Sequence, residues 1–295
     1  MPNRDGEWTL AYGSESFTFG LPDSEAAFLK APDLGDTALL VADSPRARTD
    51  GVGFGVDFRG GRTVTFDLGV ARSDEATALA ALERVSRLWR ADEVRGAPGA
   101  TATLTARHAG RERVLVGRPR RFAENIDDVK DGYVGILADF ACADDVYYSA
   151  TESVRTISLV PPLTGGIMAP LSTPIRTTSA TDRSVGITVG GSLPAWPVIA
   201  ITGPIVNPSI EIVGKWRMDF NVTLLAGQTL RVDTRPWART IKRDSASIPG
   251  AISRSSVRLG NASLAPGVYE VAFRGLSESG TSTASFSWRD TYPTL

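Results

Sequence analysis

Residues 216–224 read WRMDFNVTL, and their alternation decides the architecture. Trp216, Met218, Phe220, Val222 and Leu224 are apolar, while Arg217, Asp219, Asn221 and Thr223 between them are polar. Successive side chains of an extended chain point to opposite faces, so a period of two puts five apolar groups on one side of a nine-residue strand. One face in a core and one in water is the mark of an antiparallel sheet. After the turn-like Ala226-Gly227-Gln228, Leu230 and Val232 resume the period, so the two segments are expected to form a hairpin.

The same period extends through the second half of the chain. Tyr269, Val271 and Phe273 follow it, as do Ala284, Phe286 and Trp288. Strands are expected to begin near 185, 198, 209, 216, 229, 239, 256, 268 and 282, a spacing that fits an antiparallel β-sandwich. No helical stretch interrupts them, which argues against a parallel βαβ arrangement.

The first half differs by one segment. Residues 73–90, SDEATALAALERVSRLWR, predict an amphipathic helix with Ser73 as N-cap. Asp74 and Glu75 fall in the first turn, where the helix dipole favours negative charge. Leu79, Leu82, Val85, Leu88 and Trp89 form the apolar stripe, and Gly96 follows the end. Around it, strands are expected at 8–12, 38–41, 53–58, 62–68, 101–106, 113–116 and 132–140. In 53–58 the apolar face is Phe54, Val56 and Phe58; in 62–68 it is Val64, Phe66 and Leu68.

The expected fold is therefore mainly β. An α+β first domain over 1–158, a β-sandwich or split-barrel-like unit with one helix, precedes an antiparallel β-sandwich over 177–295. Residues 159–176, with Pro161, Pro162, Gly165, Gly166, Pro170 and Pro174, read as a connecting arm, because proline cannot donate to a ladder.

Composition excludes more than it identifies. The 295 residues are 42% hydrophobic and 22% charged, enough for a sizeable core and too little charge for disorder. Lys and Arg number 32 against 33 Asp and Glu, which argues against a dedicated nucleic-acid binder. That balance divides unevenly. Residues 1–150 hold 18 basic and 24 acidic groups, a balance of −6, and residues 151–295 hold 14 and 9, a balance of +5. No signal-like or membrane-spanning stretch is visible, so a soluble chain, cytosolic when made, is expected.

Candidate chemistry is sparse. One histidine, His108, sits in a basic turn, and one cysteine, Cys142, follows an apolar strand. The first reads as a solvated surface group and the second as a small buried hydrophobe, without a GxSxG elbow or a partner for thiol chemistry. Asp127-Asp128 and Asp144-Asp145 could suggest a carboxylate pair, but neighbours on a strand face opposite ways, and both read as solvated loops. Gly51, Gly53 and Gly55 lack the strand–helix context of a phosphate loop. The sequons at Asn221 and Asn261 read as chance matches. Trp196 and Trp237, each beside a proline, could stack on sugar rings or plug the ends of the sandwich, and the second reading is preferred. No catalytic, cofactor-binding or metal-binding residue is expected.

Several stretches together resemble a known family. They are GRPRRF at 117–122, FACADDVYYS at 140–149 and LVPPLTGG at 159–166, then AWPVIAITGPIVNP at 195–208, DTRPWAR at 233–239 and SWRDTYP at 287–293. These resemble the distal tail proteins, or minor tail proteins, of long-tailed non-contractile bacteriophages, most closely those of actinobacterial phages. The resemblance covers most of the chain and is least in residues 1–50. It implies a galectin-like second sandwich and a structural, non-enzymatic role in the virion. A homo-oligomeric ring, a hexamer, would join the tail tube protein to a tail-associated lysin or baseplate hub protein. Receptor-binding proteins would attach further out, DNA would pass through the lumen without specific binding, and no membrane insertion is implied. The ring would be assembled in the host bacterial cytoplasm and sit at the tail tip. The alternative from the residues alone is a carbohydrate-binding β-sandwich that attaches to cell-wall saccharide.

Overall fold

Two units make up the structure, a computed structural model that describes residues 3–159, 184–277 and 281–295. The first comprises Met1–Ala150 with Tyr292–Leu295, and the second Thr151–Thr291. Residues 160–176 of the expected arm lie outside the described residues.

The first unit begins with β1 (Trp8–Tyr12), β2 (Glu15–Phe19) and β3 (Ala27–Phe28). Two short pairs follow, β4 (Leu39–Leu40) with β7 (Phe58–Arg59) and, between them, β5 (Ser44–Pro45) with β6 (Val52–Gly53). Then come β8 (Thr63–Ala71), α1 (Glu75–Arg90), α2 (Asp92–Arg95), β9 (Ala102–His108), β10 (Arg111–Asn125), β11 (Tyr133–Cys142) and β12 (Tyr147–Ser149). The main antiparallel sheet runs β2-β1-β9-β10-β11-β8-β3. Strand β11 shows why: Val134, Ile136, Ala138, Phe140 and Cys142 are buried while the residues between them are not. The β9–β10 hairpin closes through Ala109 and Gly110, both with positive φ (49° and 73°), the backbone of a type I′ turn.

Helix α1 lies on this sheet and buries Ala78, Leu82, Val85, Leu88 and Trp89. Leu79 is exposed instead of buried, because Ala78 takes the inward position and puts its neighbour off the stripe. The N-cap is Asp74, not Ser73. The Asp74 carboxylate accepts from the Thr77 N–H at 3.0 Å, and the Ser73 hydroxyl donates to that carboxylate at 2.8 Å. At the other end, the Tyr12 hydroxyl donates to the Leu88 carbonyl at 2.8 Å. Trp89 meets Phe19 and Phe66 edge-on at 6.1 and 6.0 Å, tying helix to sheet in one aromatic cluster.

The second unit runs β13 (Ser153–Ser158), β14 (Ser184–Val189), β15 (Val198–Thr202), β16 (Ile205–Ile212), β17 (Trp216–Asp219) and β18 (Thr223–Leu224). It continues with β19 (Thr229–Asp233), β20 (Thr240–Arg243), β21 (Ala246–Ser247), β22 (Gly267–Leu276) and β23 (Thr283–Trp288), and β24 (Thr291–Tyr292) follows. One sheet has the order β13-β23-β15-β19-β20-β21; the other is β14-β22-β16-β17 with β18 also on β16. Both inner faces feed one core that contains Ile199, Val232 and Phe286 from the first sheet and Ile210, Met218 and Phe273 from the second. This is the expected antiparallel sandwich. Strand β13, counted by its sequence position with the first domain, pairs along its length with β23.

Residues 216–224 keep their alternation but not their continuity. Met218, Phe220 and Leu224 are buried, yet the expected nine-residue strand breaks into β17 and β18. The partner is the cause: β16 shifts register between Val206 and Ser209, where Asn207 takes a positive φ of 46°. The expected hairpin with 229–232 does not form, because β19 pairs with β15 and β20 in the opposite sheet. The turn at 225–228 is a corner between sheets. No strand forms at 256; the stretch is irregular.

Candidate assembly surface

Between β3 and β8 the chain of the first unit forms a two-stranded ribbon. From Ala38 to Arg59 every residue except Gly53 is exposed. Leu40 lies opposite Phe58 and Pro45 opposite Val52, so the ribbon is held by four paired positions in all. At Gly55 the two arms nearly touch: an added Cβ would lie 2.1 Å from the Ala42 carbonyl oxygen, so only glycine fits.

The ribbon is built to hold its place. The Gly60 N–H donates to the Ala38 carbonyl at 2.7 Å. Gly61 packs against the end of β11, where an added Cβ would lie 2.2 Å from the Cys142 carbonyl oxygen. Arg62 stands 4.8 Å above the Tyr147 ring, donates to its hydroxyl at 3.0 Å, and donates to the Asp145 carbonyl. Arg59 pairs with the Asp145 carboxylate at 3.3 Å. Base residues 59–62 are therefore clamped to residues 142–147.

Its two arms expose apolar side chains, interspersed with the charged Asp43, Arg46, Arg48, Asp50, Asp57 and Arg59. Leu39, Leu40, Val41, Val52, Phe54, Val56 and Phe58 are exposed, Phe54 to 88%. Phe54, Val56 and Phe58 are the period-two face that the sequence predicts for 53–58. The residues between β6 and β7 pair with no strand among the described residues, and their apolar face meets no core. An isolated two-stranded ribbon is at best marginally stable in water, and a contiguous exposed apolar surface marks an interaction site.

The clamp contains a carboxyl whose pKa is strongly raised, Asp144. Asp144 was expected in a solvated loop; instead it is mostly buried, with the Tyr148 hydroxyl donating to it at 2.5 Å. Burial pushes its pKa up to about 6 against the bonds from Tyr148 and Val146. Cys142 is buried as expected, and burial pushes its thiol up to about 12, which leaves it protonated and unreactive at neutral pH.

The remaining singled-out residues are not brought together. His108 is exposed at the β9–β10 turn. Asp127 and Asp128 are exposed in a turn, with the Asp127 N–H donating to the Asn125 side chain at 2.9 Å. Trp196 and Trp237 are half-buried, and the Arg235 guanidinium lies 5.4 Å from the Trp237 ring centroid. Asn221 and Asn261 are exposed. Among the described residues no group of three or more His, Cys, Asp and Glu could hold a metal ion, and no helix is long and apolar enough to cross a membrane.

No family model matches the sequence and no curated protein is similar to it. Solved structures with a similar fold do exist. One is the Dit protein of phage SPP1, described as a paradigm of the hub adsorption apparatus in phages infecting Gram-positive bacteria. The TM-score is 0.57 and the identity 11%, over 96% of this chain and 98% of that one. The phage P2 baseplate in its activated conformation with Ca is another, at TM-score 0.58 and 10% identity, over 98% and 99%. The same baseplate with Sr gives the same values. These neighbours are structural components of phage adsorption machinery, and the likeness is one of fold.

Proposed function

We propose that this chain is a structural subunit of a phage tail tip, of the distal tail kind, and that it assembles with copies of itself into a ring. The observation that carries the proposal is the apolar ribbon at 38–59. Its base is fixed by Arg59, Gly61 and Arg62, its tip has no core of its own, and a second copy of this chain is the occupant that covers it. The fold shared with phage hub proteins supports the same assignment, and a hexamer is the closure that the sequence resemblance to distal tail proteins implies. The ring joins the tail tube protein to a baseplate or tail-associated lysin protein, with receptor-binding proteins attached further out.

The charge division supports a further part of the reading. The first unit carries the −6 balance and the second the +5. A channel that passes DNA without holding it is best lined with negative charge, so the first units face the lumen. Light scattering on the full chain tests assembly. A mass several times 31.4 kDa is expected; a mass of 31.4 kDa at every concentration, in the presence of the tail tube protein too, contradicts it.

A further inference from the structure

A cavity of about 600 Å³ opens on the second unit, between β20, β21 and residues 252–259. Arg239, Arg254 and Arg258 line it, all exposed, and no carboxylate does. None of the three has an ion pair among the described residues, whereas Arg217 and Arg235 nearby pair with Asp219 and Asp233. Three guanidinium groups around one hollow with no carboxylate on its wall give it a positive charge that an anion would offset. Ser247 and Ser253 supply hydroxyls, and Ile252 lies on the apolar part of the wall.

The walls are fixed before any ligand arrives. The Ser253 N–H donates to the Asp219 carbonyl at 2.8 Å and the Val257 N–H to the Arg217 carbonyl at 3.0 Å. The Ser256 hydroxyl accepts from the Asp219 N–H at 2.8 Å. Irregular residues 252–258 are thereby laced along β17, a preorganisation that lowers the cost of binding. Arg239 sits in the left-handed region, φ 42°, which an arginine adopts only when its surroundings hold it there. Gly260 lies beneath its guanidinium: an added Cβ would be 3.5 Å away, in ordinary contact.

We infer that this cavity binds a phosphate-bearing saccharide, with the guanidinium groups on the phosphate and the serine hydroxyls and Ile252 on the sugar. Guanidinium donors match phosphate oxygens in pairs, and hydroxyls beside an apolar wall suit the two sides of a sugar. Single-stranded nucleic acid would call for stacking aromatics, and none lines the cavity. The inference is independent of ring assembly.

Calorimetric titration of the full chain with glucose 6-phosphate tests it, with inorganic phosphate, glucose and the oligonucleotide dT8 as comparators. Saturable binding of glucose 6-phosphate is expected, tighter than phosphate or glucose alone and tighter than dT8. Arg254→Ala and Arg258→Ala should each weaken it about tenfold or more. Arg121→Ala, in the first unit, should leave it unchanged, and near-ultraviolet dichroism checks that each variant is folded. Absence of saturable binding, equal binding of phosphate alone, tighter binding of dT8, or indifference to Arg254 and Arg258 each overturns the inference.

Discussion

Replacing Phe54 and Phe58 together by serine separates assembly from folding. Phe54 is 88% and Phe58 62% exposed in the single chain, so neither supports its core. Full burial of a phenylalanine is worth about 1.5–3 kcal/mol. Scaled by the exposed fractions, covering both by a neighbouring copy contributes about 2–4 kcal/mol per interface, so their loss weakens each interface about 30- to 1,000-fold. Unfolding of the isolated chain should change by less than about 0.5 kcal/mol, as for other exposed positions. Sedimentation velocity across a concentration series reads the association, and urea unfolding reads the stability. A variant that associates as tightly as the wild type refutes the assembly role of the ribbon. A variant that loses several kcal/mol of stability refutes the claim that its tip stands outside the core.

Three further outcomes follow from the same geometry. Asp144 has a raised pKa, about 6, so its folded form holds a proton that its unfolded form gives up near pH 4. Stability linked to it is therefore present below pH 4 and falls by about 2–3 kcal/mol as pH rises through 6; Asp144→Asn should flatten that slope in unfolding curves taken from pH 4 to 7. The Asp74 carboxylate is held below the usual range by the Thr77 N–H and the Ser73 and Thr77 hydroxyls. Asp74→Ala should lower the melting temperature of the first unit at neutral pH, and the difference from wild type should shrink as pH falls through the native pKa. Gly61→Ala cannot be accommodated against the Cys142 carbonyl, so limited proteolysis should cleave the ribbon faster in that variant than in wild type.

The sandwich was legible because period-two patterning survives local breaks. Met218, Phe220 and Leu224 point inward although β16 bulges at Asn207 and splits their strand. Which sheet each strand joins was not legible, since inner faces of both sheets look alike in sequence; the pairing of β19 with β15 and β20 could not be read for that reason. Strands β3, β12 and β13 carry no readable alternation: β3 and β12 have only two and three residues, and β13 buries only Ile157. The ribbon's apolar face was half-visible. Phe54, Val56 and Phe58 were plain as an apolar face, but a pattern cannot say whether such a face meets its own core or another molecule. The burial of Asp144 was not legible, because nothing in the spacing of Asp144-Asp145 announces the packing around it or its hydrogen bond from Tyr148 four residues on. The arginine-lined cavity gave no sequence cue, because its three guanidinium groups are dispersed over 239–258.

The most direct test of a tail-tip ring is immunogold electron microscopy of intact virions with an antibody raised against residues 184–277. Gold confined to the distal end of the tail, at its junction with the adsorption apparatus, is the predicted result. Gold on the capsid or along the tail shaft, or virions that lack the chain altogether, would contradict it.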